Sequence, residues 1–404
     1  MRQFDTFCFL DNNTRNNKSF DFLVAFQKKQ ELINPINPFV DFEDMVSKNN
    51  NWLFGYFSYD LKNNIEALSS NNSDYQLFPK IHFFIPSVII KVKNNDVDIL
   101  YESTYSICEI NDVFDQINTI LVHDQKIKPI KIKSRVNKQE YINKVLEIKR
   151  HLQSGDIYEM NYCQEFYVEN LQIDPFNVFI KLNNVSKAPF TSFYRINNNF
   201  CLCASPERYL QKKNNKIISQ PIKGTIKKSD NVLIDEKNKK ALLNSAKDFS
   251  ENVMIVDLVR NDLSRVAKQG TVKVEELAAL YTYRDVHHLI STISCELDEN
   301  KTISDIIRAS FPMGSMTGAP KIRAMELIEK LEDTLRGLYS GSIGYIEPNK
   351  DFDFNVVIRS VFYNQQSQYL SFMVGGAITI DSDPELEYEE CLLKAKSIFQ
   401  VLSV

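Results

Sequence analysis

In the stretch SQPIKGTIKK, residues 219–228, Lys223 follows the apolar pair Pro221-Ile222 and precedes the backbone-permissive Gly224. Taken alone it reads as a snorkelling surface side chain. Beside a carboxyl group it becomes a candidate nucleophile. Such a group is Glu207 of SPERYL, joined to Lys223 through the hairpin signal KKNNK. A hairpin returns its second strand beside its first, so the two side chains are expected to approach and tune each other's protonation.

Two helical segments carry further carboxylates. In SAKDFSENVMIVDLVRNDLSRV, Glu251, Ile255, Leu258 and Asp262 fall at i, i+4, i+7 and i+11 and share one face. In DPELEYEECLLKAKSIF, Glu387, Glu390 and Lys394 stack at i, i+3 and i+7. Two readings stand for these carboxylates. One is an ion pair, to Arg260 or Arg265 in the first segment and along a solvated face in the second. The other is a metal ligand. Magnesium takes oxygen ligands, keeps several waters and is often held by one or two carboxylates, so Glu251 and Glu390 on separate helices could form its site.

FPMGSMTGAPKIRAMELIEKLE runs from a loop into a helix. Gly314 and Gly318 free the backbone, Pro320 lies near the first turn, and Ser315 and Thr317 offer hydroxyls there. The pattern fits an anion site or a plain helix cap, and it lacks the spacing of a nucleotide phosphate loop. Arg359 in VVIRSV reads as a mid-strand arginine, which needs a partner and whose planar fork suits a carboxylate. His287 and His288 are further polar candidates.

The elements that must position these residues are largely β. Asparagine clusters (NNTRNN, SSNNSDY, KNNDVD, INNNF, KKNNK) punctuate alternating apolar runs, as turns between strands do. Hairpins are expected in SVIIKVKNNDVDIL, in SFYRINNNFCLCASPERYL followed by KKNNKIISQ, and in VVIRSVFYNQQSQYLSFMVGGAITI. Strands in adjacent pairs imply an antiparallel α+β fold and disfavour a doubly wound nucleotide-binding sheet. The basic stretch KIKPIKIKSRVN, with Pro129, suggests a boundary near residue 136 between an amino-terminal lobe, 1–136, and a second region, 137–404. A helix is expected next: Asn137 and Glu140 have capping-box spacing, Tyr141, Val145, Ile148 and Leu152 repeat helically, and Gly155 closes it. Further helices are predicted over 236–266, 302–309, 320–332 and 384–401, the last with Asp383 as cap.

With 404 residues, 43% hydrophobic and 25% charged, and a formal net charge of -4, the chain has ample core and no basic excess to suggest nucleic acid. MRQFDTFCFLDNN lacks a small-residue cleavage site, and no segment approaches a membrane span, so a cytoplasmic protein without membrane contact is expected. The cysteines (Cys8, Cys108, Cys163, Cys201, Cys203, Cys295, Cys391) show no C-x-x-C spacing, so neither disulfides nor zinc are expected.

SPERYL, QPIKGT, ENVMIVDLVRNDL, FPMGSMTGAPKIRAMELI, SGSIGYI and the E-Y-E-E run, in this order over roughly residues 138–400, resemble the chorismate-utilising enzymes. GYFSYDL extends the likeness, more weakly, into the amino-terminal lobe. The resemblance implies a two-lobed fold of two packed antiparallel sheets with helices outside, and binding of chorismate with Mg2+. Within the family, P-I-A-G-T marks the branch that makes anthranilate and pyruvate, and P-I-K-G-T the branch that aminates chorismate at C4. The lysine that activates water in isochorismate and salicylate synthases falls at Glu159 here, which points to ammonia as nucleophile.

By the same resemblance, Glu251 and Glu390 are the magnesium carboxylates, supported by Glu387. Arg359, Tyr339 and the backbone around Gly376 and Ala377 receive the enolpyruvyl carboxylate. Gly224, Thr225, His288 and Thr317 line the ring end, and Lys394 belongs to the carboxylate helix. Lys223 attacks the ring as a neutral amine and Glu207 donates a proton to the leaving hydroxyl. No glutaminase-like segment is visible, so ammonia is expected from a separate glutaminase subunit. The alternatives are the anthranilate-forming reaction and a degenerate chorismate-binding subunit that only regulates a glutaminase.

Overall fold

Alternation punctuated by asparagine folds as the hairpins it predicts. The computed structural model describes residues 4–13, 20–102, 105–106, 108, 115 and 130–402. Most of NNTRNN, and the part of KIKPIKIKSRVN that contains Pro129, lie outside them. Among the described residues, nineteen strands form one hydrogen-bonded network. Ile81–Lys93 pairs with Asp96–Tyr101, Phe190–Ile196 with Asn199–Ser205, Arg208–Lys213 with Lys216–Gln220, and Ser360–Asn364 with Tyr369–Ile378, all antiparallel. Strands from both sides of residue 136 share ladders: Thr6–Asp11 pairs with Phe190–Ile196, and Leu53–Phe57 with Ser342–Ile346.

Helices whose full extent lies among the described residues are α1 (Pro38–Lys48), α2 (Lys138–Gln153), α3 (Pro175–Ser186), α4 (Val232–Leu243), α5 (Ala246–Ser264), α6 (Ile303–Ser310), α7 (Lys321–Leu331) and α8 (Pro384–Leu402). The α2 capping box is complete: the Asn137 side chain accepts the Glu140 N–H at 3.0 Å, and the Glu140 carboxylate accepts the Asn137 N–H at 2.8 Å. Asp383 caps α8 by accepting the N–H groups of Glu385 and Leu386.

The single helix expected over 236–266 is two. Ser245 accepts the Asp248 N–H and so starts a second helix after the Asn244 cap. Two helices, α1 and α3, went unread although each opens on a proline in its first turn.

Two apolar layers hold the network. One collects α1, α5 and α6 through Phe42, Ile255 and Ile307 against Phe57, Phe83 and Phe354. The other collects α2, α3, α7 and α8 through Tyr141, Phe179, Leu327 and Ile398 against Phe166, Phe193 and Phe372. Cys201 and Cys203 are buried free thiols, as plain packing residues would be. No helix among the described residues is long and apolar enough to cross a membrane.

Candidate active site

The site gathers where several strands end. Glu159 begins the strand Glu159–Val168, flanked on one side by Gly318–Ala319, with Ala319 opposite Glu159, and on the other by Tyr369–Ile378, with Gly376 opposite Tyr162 and Ala377 opposite Asn161. Lys223 lies on Ile222–Lys227, which pairs with Val286–Glu296 through a register shift between Ile222 and Thr225. Gly224 takes φ +86°, and a Cβ there would meet the Asp248 side chain at 3.1 Å, so α5 packs directly on this turn. Asn252 of α5 donates to the Lys223 carbonyl at 3.0 Å and fixes the strand to the helix.

Lys223 does not hydrogen-bond Glu207. Its ammonium donates to Glu159 Oε1 at 2.6 Å, and both side chains are buried. The hairpin ladder ends with Arg208 opposite Gln220, so Lys223 lies beyond it, and the Glu207 carboxyl instead accepts the Ile222 N–H and the Ser315 hydroxyl, the latter at 2.7 Å. The two remain coupled through charge. Burial pushes the Glu207 carboxyl up to about 7, against the partial relief of Ser315 and Lys223. Near neutrality Glu207 is therefore partly protonated, the form in which a carboxyl can donate. Burial alone would depress the Lys223 ammonium, but the carboxylates of Glu159 and Glu251 outweigh it and the net direction is upward. This corrects the expectation of a readily deprotonated lysine.

Glu251 is buried and its Oε1 has no hydrogen-bond partner among the described residues. Burial raises its carboxyl to about 7. Lys247 bridges the two carboxylate helices, with Nζ 3.1 Å from Glu387 and 3.9 Å from Glu251. Lys394 pairs with Glu390 at 2.7 Å, holds its carboxyl below the usual range, and donates to the Gly375 carbonyl at 2.9 Å. A Cβ on Gly376 would stand 3.2 Å from Glu387, 3.6 Å from Lys394 and 3.8 Å from Glu390, so the bare glycine faces that cluster.

The ion-pair alternative for α5 takes a different form from the one expected. Asp262 pairs with Lys321 at 2.5 Å, while Arg260 turns to Asp257 and Arg265 to Asn261.

No three His, Cys, Asp or Glu side chains among the described residues converge as a ready ligand set. Magnesium needs fewer, since waters and substrate oxygens complete its shell. The unpartnered buried oxygen of Glu251 and the charged cradle of Glu387 and Glu390 fit such an ion, with lysines as the present counter-ions.

Arg359 is not in mid-strand. It sits at a bend between Phe352–Asn355 and Ser360–Asn364 with φ +53°, and its guanidinium has no hydrogen-bond or ion-pair partner among the described residues. Burial lowers its pKa, while Tyr339 and Glu390 act the other way. An unpaired, half-buried guanidinium has the donors to receive a carboxylate. His288 accompanies it as a neutral ring, pulled down to about 3 by burial and by Arg359, with Nδ1 2.8 Å from the Thr225 hydroxyl. His287 is structural, 2.9 Å from Asp235 of α4.

Tyr339 is buried with its hydroxyl 3.5 Å from the Cys163 sulfur. Thr317 is fully buried and donates to the Met313 carbonyl at 3.1 Å, so with Ser315 on Glu207 neither hydroxyl is left for an anion at this helix start.

The sequence reading missed Glu159 as the partner of Lys223 and Ser315 as the partner of Glu207. It also missed Arg336, which is buried and donates to both Glu332 oxygens and to the carbonyls of Met316 and Asn161. Arg336 ties the Ser315 loop to the strand that carries Glu159. An acidic residue opening an apolar strand was the available signal for Glu159.

The chain is similar to known proteins over most of its length. The chain is 41% identical over 269 residues to aminodeoxychorismate synthase component 1 of Salmonella typhimurium, covering 67% of this chain and 59% of that protein. It is 32% identical over 371 residues to anthranilate synthase component 1 of Acetivibrio thermocellus, covering 86% and 74%. The fold matches the crystal structure of anthranilate synthase component I from Streptococcus pneumoniae TIGR4 with a TM-score of 0.84 at 24% identity, over 93% of this chain and 91% of that one. The family model for chorismate binding enzyme matches residues 8–400, and the chain belongs to that family.

Proposed function

We propose that the chain aminates chorismate at C4 with ammonia to give 4-amino-4-deoxychorismate, the precursor of 4-aminobenzoate and folate. The observation that carries this reading is the buried Lys223 of P-I-K-G-T, coupled through charge to Glu207, whose carboxyl burial pushes up to about 7. The relatives named aminodeoxychorismate synthase component 1 support it.

Lys223 attacks C2 of the ring, the double bond shifts, and Glu207 protonates the departing 4-hydroxyl. Ammonia then adds at C4 and expels the lysine. Arg359, with Tyr339 and the backbone at Gly376 and Ala377, receives the enolpyruvyl carboxylate; Gly224, Thr225, His288 and Thr317 shape the ring end. Glu251 and Glu390, steadied by Glu387 and Lys394, would hold Mg2+. When bound, that ion supplies positive charge for the ring carboxylate. Ammonia comes from a separate glutaminase subunit, and the protein works in the cytoplasm.

The test is to incubate the chain with chorismate, Mg2+ and an ammonium salt and to separate the products. Accumulation of 4-amino-4-deoxychorismate is expected. Direct formation of anthranilate and pyruvate would replace this reading by the anthranilate reaction. Binding of chorismate without turnover in saturating ammonia would replace it by a purely regulatory subunit.

A further inference from the structure

The lysine that must attack as a free amine is held as an ammonium, and the group that holds it can also take its proton. Lys223 Nζ lies 2.6 Å from Glu159 Oε1, a distance at which a proton passes directly between them. Glu159 has no exposed surface, and its second oxygen, Oε2, is buried without a hydrogen-bond partner among the described residues. A carboxylate placed only for structure would have both oxygens satisfied. Here one oxygen is committed to the amine and nothing neutralises the other. Glu159 can therefore accept a proton without breaking any other bond.

We infer that Glu159 is the base that takes the Lys223 proton as the amine attacks the ring and returns it after the amine departs. The inference rests on the proposed amination, and the cycle balances. At the start Lys223 is an ammonium, Glu159 a carboxylate and Glu207 a neutral acid. The proton moves from Nζ to Glu159; the Nζ–C2 bond forms, the C4–O bond breaks, and Glu207 gives its proton to the leaving hydroxyl, releasing water. Lys223 is now a secondary ammonium on the ring. Ammonia forms the C4–N bond, the C2–Nζ bond breaks, and Lys223 leaves as a neutral amine. The product ammonium reprotonates Glu207, and Glu159 returns its proton to Lys223. Chorismate and ammonia have become 4-amino-4-deoxychorismate and water, with every group restored.

Glu159→Gln tests the step, because it keeps the shape and a hydrogen bond while removing the base. The groups whose charge acts on Lys223 are Glu159, Glu207, Glu251 and Glu390, with Lys247 and Asp248 alongside. All but Glu159 keep their identity in the variant, and loss of the Glu159 charge eases the upward push on both Lys223 and Glu251. At pH 7 the variant should lose roughly 10²- to 10⁴-fold in kcat, with KM for chorismate within about threefold.

The ratio of wild-type to variant kcat should then shrink about tenfold per pH unit as solvent takes over the deprotonation. Intact-mass detection of the quenched enzyme should show slower formation of the Lys223 adduct. A ratio near one, or a large ratio that does not change with pH, would overturn the proposal in favour of a structural role. Glu159→Asp retains a base and should run parallel to wild type with pH. If Glu159→Gln does not melt cooperatively, a pH-dependent ratio for Glu159→Asp overturns the proposal instead. Should wild type make anthranilate, the amination reading fails separately, and the same ratio followed through chorismate loss still decides the role of Glu159.

Discussion

Two buried ion pairs lie close together in this molecule and differ in what they leave unfinished. Arg336 and Glu332 are both almost inaccessible to solvent and fully engaged: two bonds join them, the Glu332 carboxylate also takes the Cys163 N–H, and Arg336 spends its remaining donors on two backbone carbonyls and Ser340. Lys223 and Glu159 share a single bond, and among the described residues neither Glu159 Oε2 nor Glu251 Oε1 nearby has a hydrogen-bond partner. Burial of charge alone does not separate structure from chemistry, since both pairs have it. Saturation does: the first pair is complete in the apoprotein, and the second has valences a substrate or a moving proton can use.

The sharpest way to break the comparison is Lys223→Ala. Loss of roughly 10⁴-fold or more in turnover of chorismate with ammonium is expected, as for removal of a covalent nucleophile, measured by product chromatography. Arg336→Met should instead act on stability, costing about 3–5 kcal/mol in urea unfolding because Glu332 and two carbonyls lose their donor. Replacing both members of the other pair by apolar residues, Lys223→Met with Glu159→Leu, should be neutral or stabilising by the same measurement.

Glu207→Gln should lower turnover roughly 10²-fold or more. The same variant carries a stability signature. A carboxyl raised from 4.5 to about 7 on folding favours the folded state fully below pH 4.5, and that contribution is lost as pH rises through about 7. The variant should therefore be more stable than wild type at pH 8, by about 2–3 kcal/mol, with the gap closing toward pH 4.5. Equal unfolding curves at pH 8 would contradict the raised carboxyl.

Glu387→Gln should raise the Mg2+ concentration for half-maximal activity roughly 10- to 100-fold, read from a Mg2+ titration of turnover. Smallest is Asn137→Ala, which removes one side of the α2 capping box and should cost about 1 kcal/mol in a thermal melt without touching turnover.

The legibility of this chain followed the range of the interactions. Hairpins, the α2 box and the Asp383 cap rest on neighbours in sequence, and they were readable from turn chemistry and periodicity. Ser245 was passed over because a serine in a run of helix formers signals a cap only when the chain bends there. At the proposed site, Lys223, Glu207, Glu251, Glu387, Glu390 and Arg359 were singled out by residue type and by resemblance. Their partners were not. Glu159 reaches Lys223, and Ser315 reaches Glu207, across separate strands and loops, and no local pattern encodes such contacts. The expected Glu207–Lys223 contact failed for a local reason: the hairpin ladder ends at Arg208 and Gln220, three residues short of the lysine.

The ladder between Leu53–Phe57 and Ser342–Ile346 joins segments from opposite ends of the chain. Such pairing makes most of the polypeptide a loop to be closed before the framework around the site exists, so folding should be slow and should wait on completed synthesis. A fragment beginning near residue 137 would carry every proposed catalytic side chain and yet present Ser342–Ile346 as an open apolar edge, the kind of strand on which chains associate with one another.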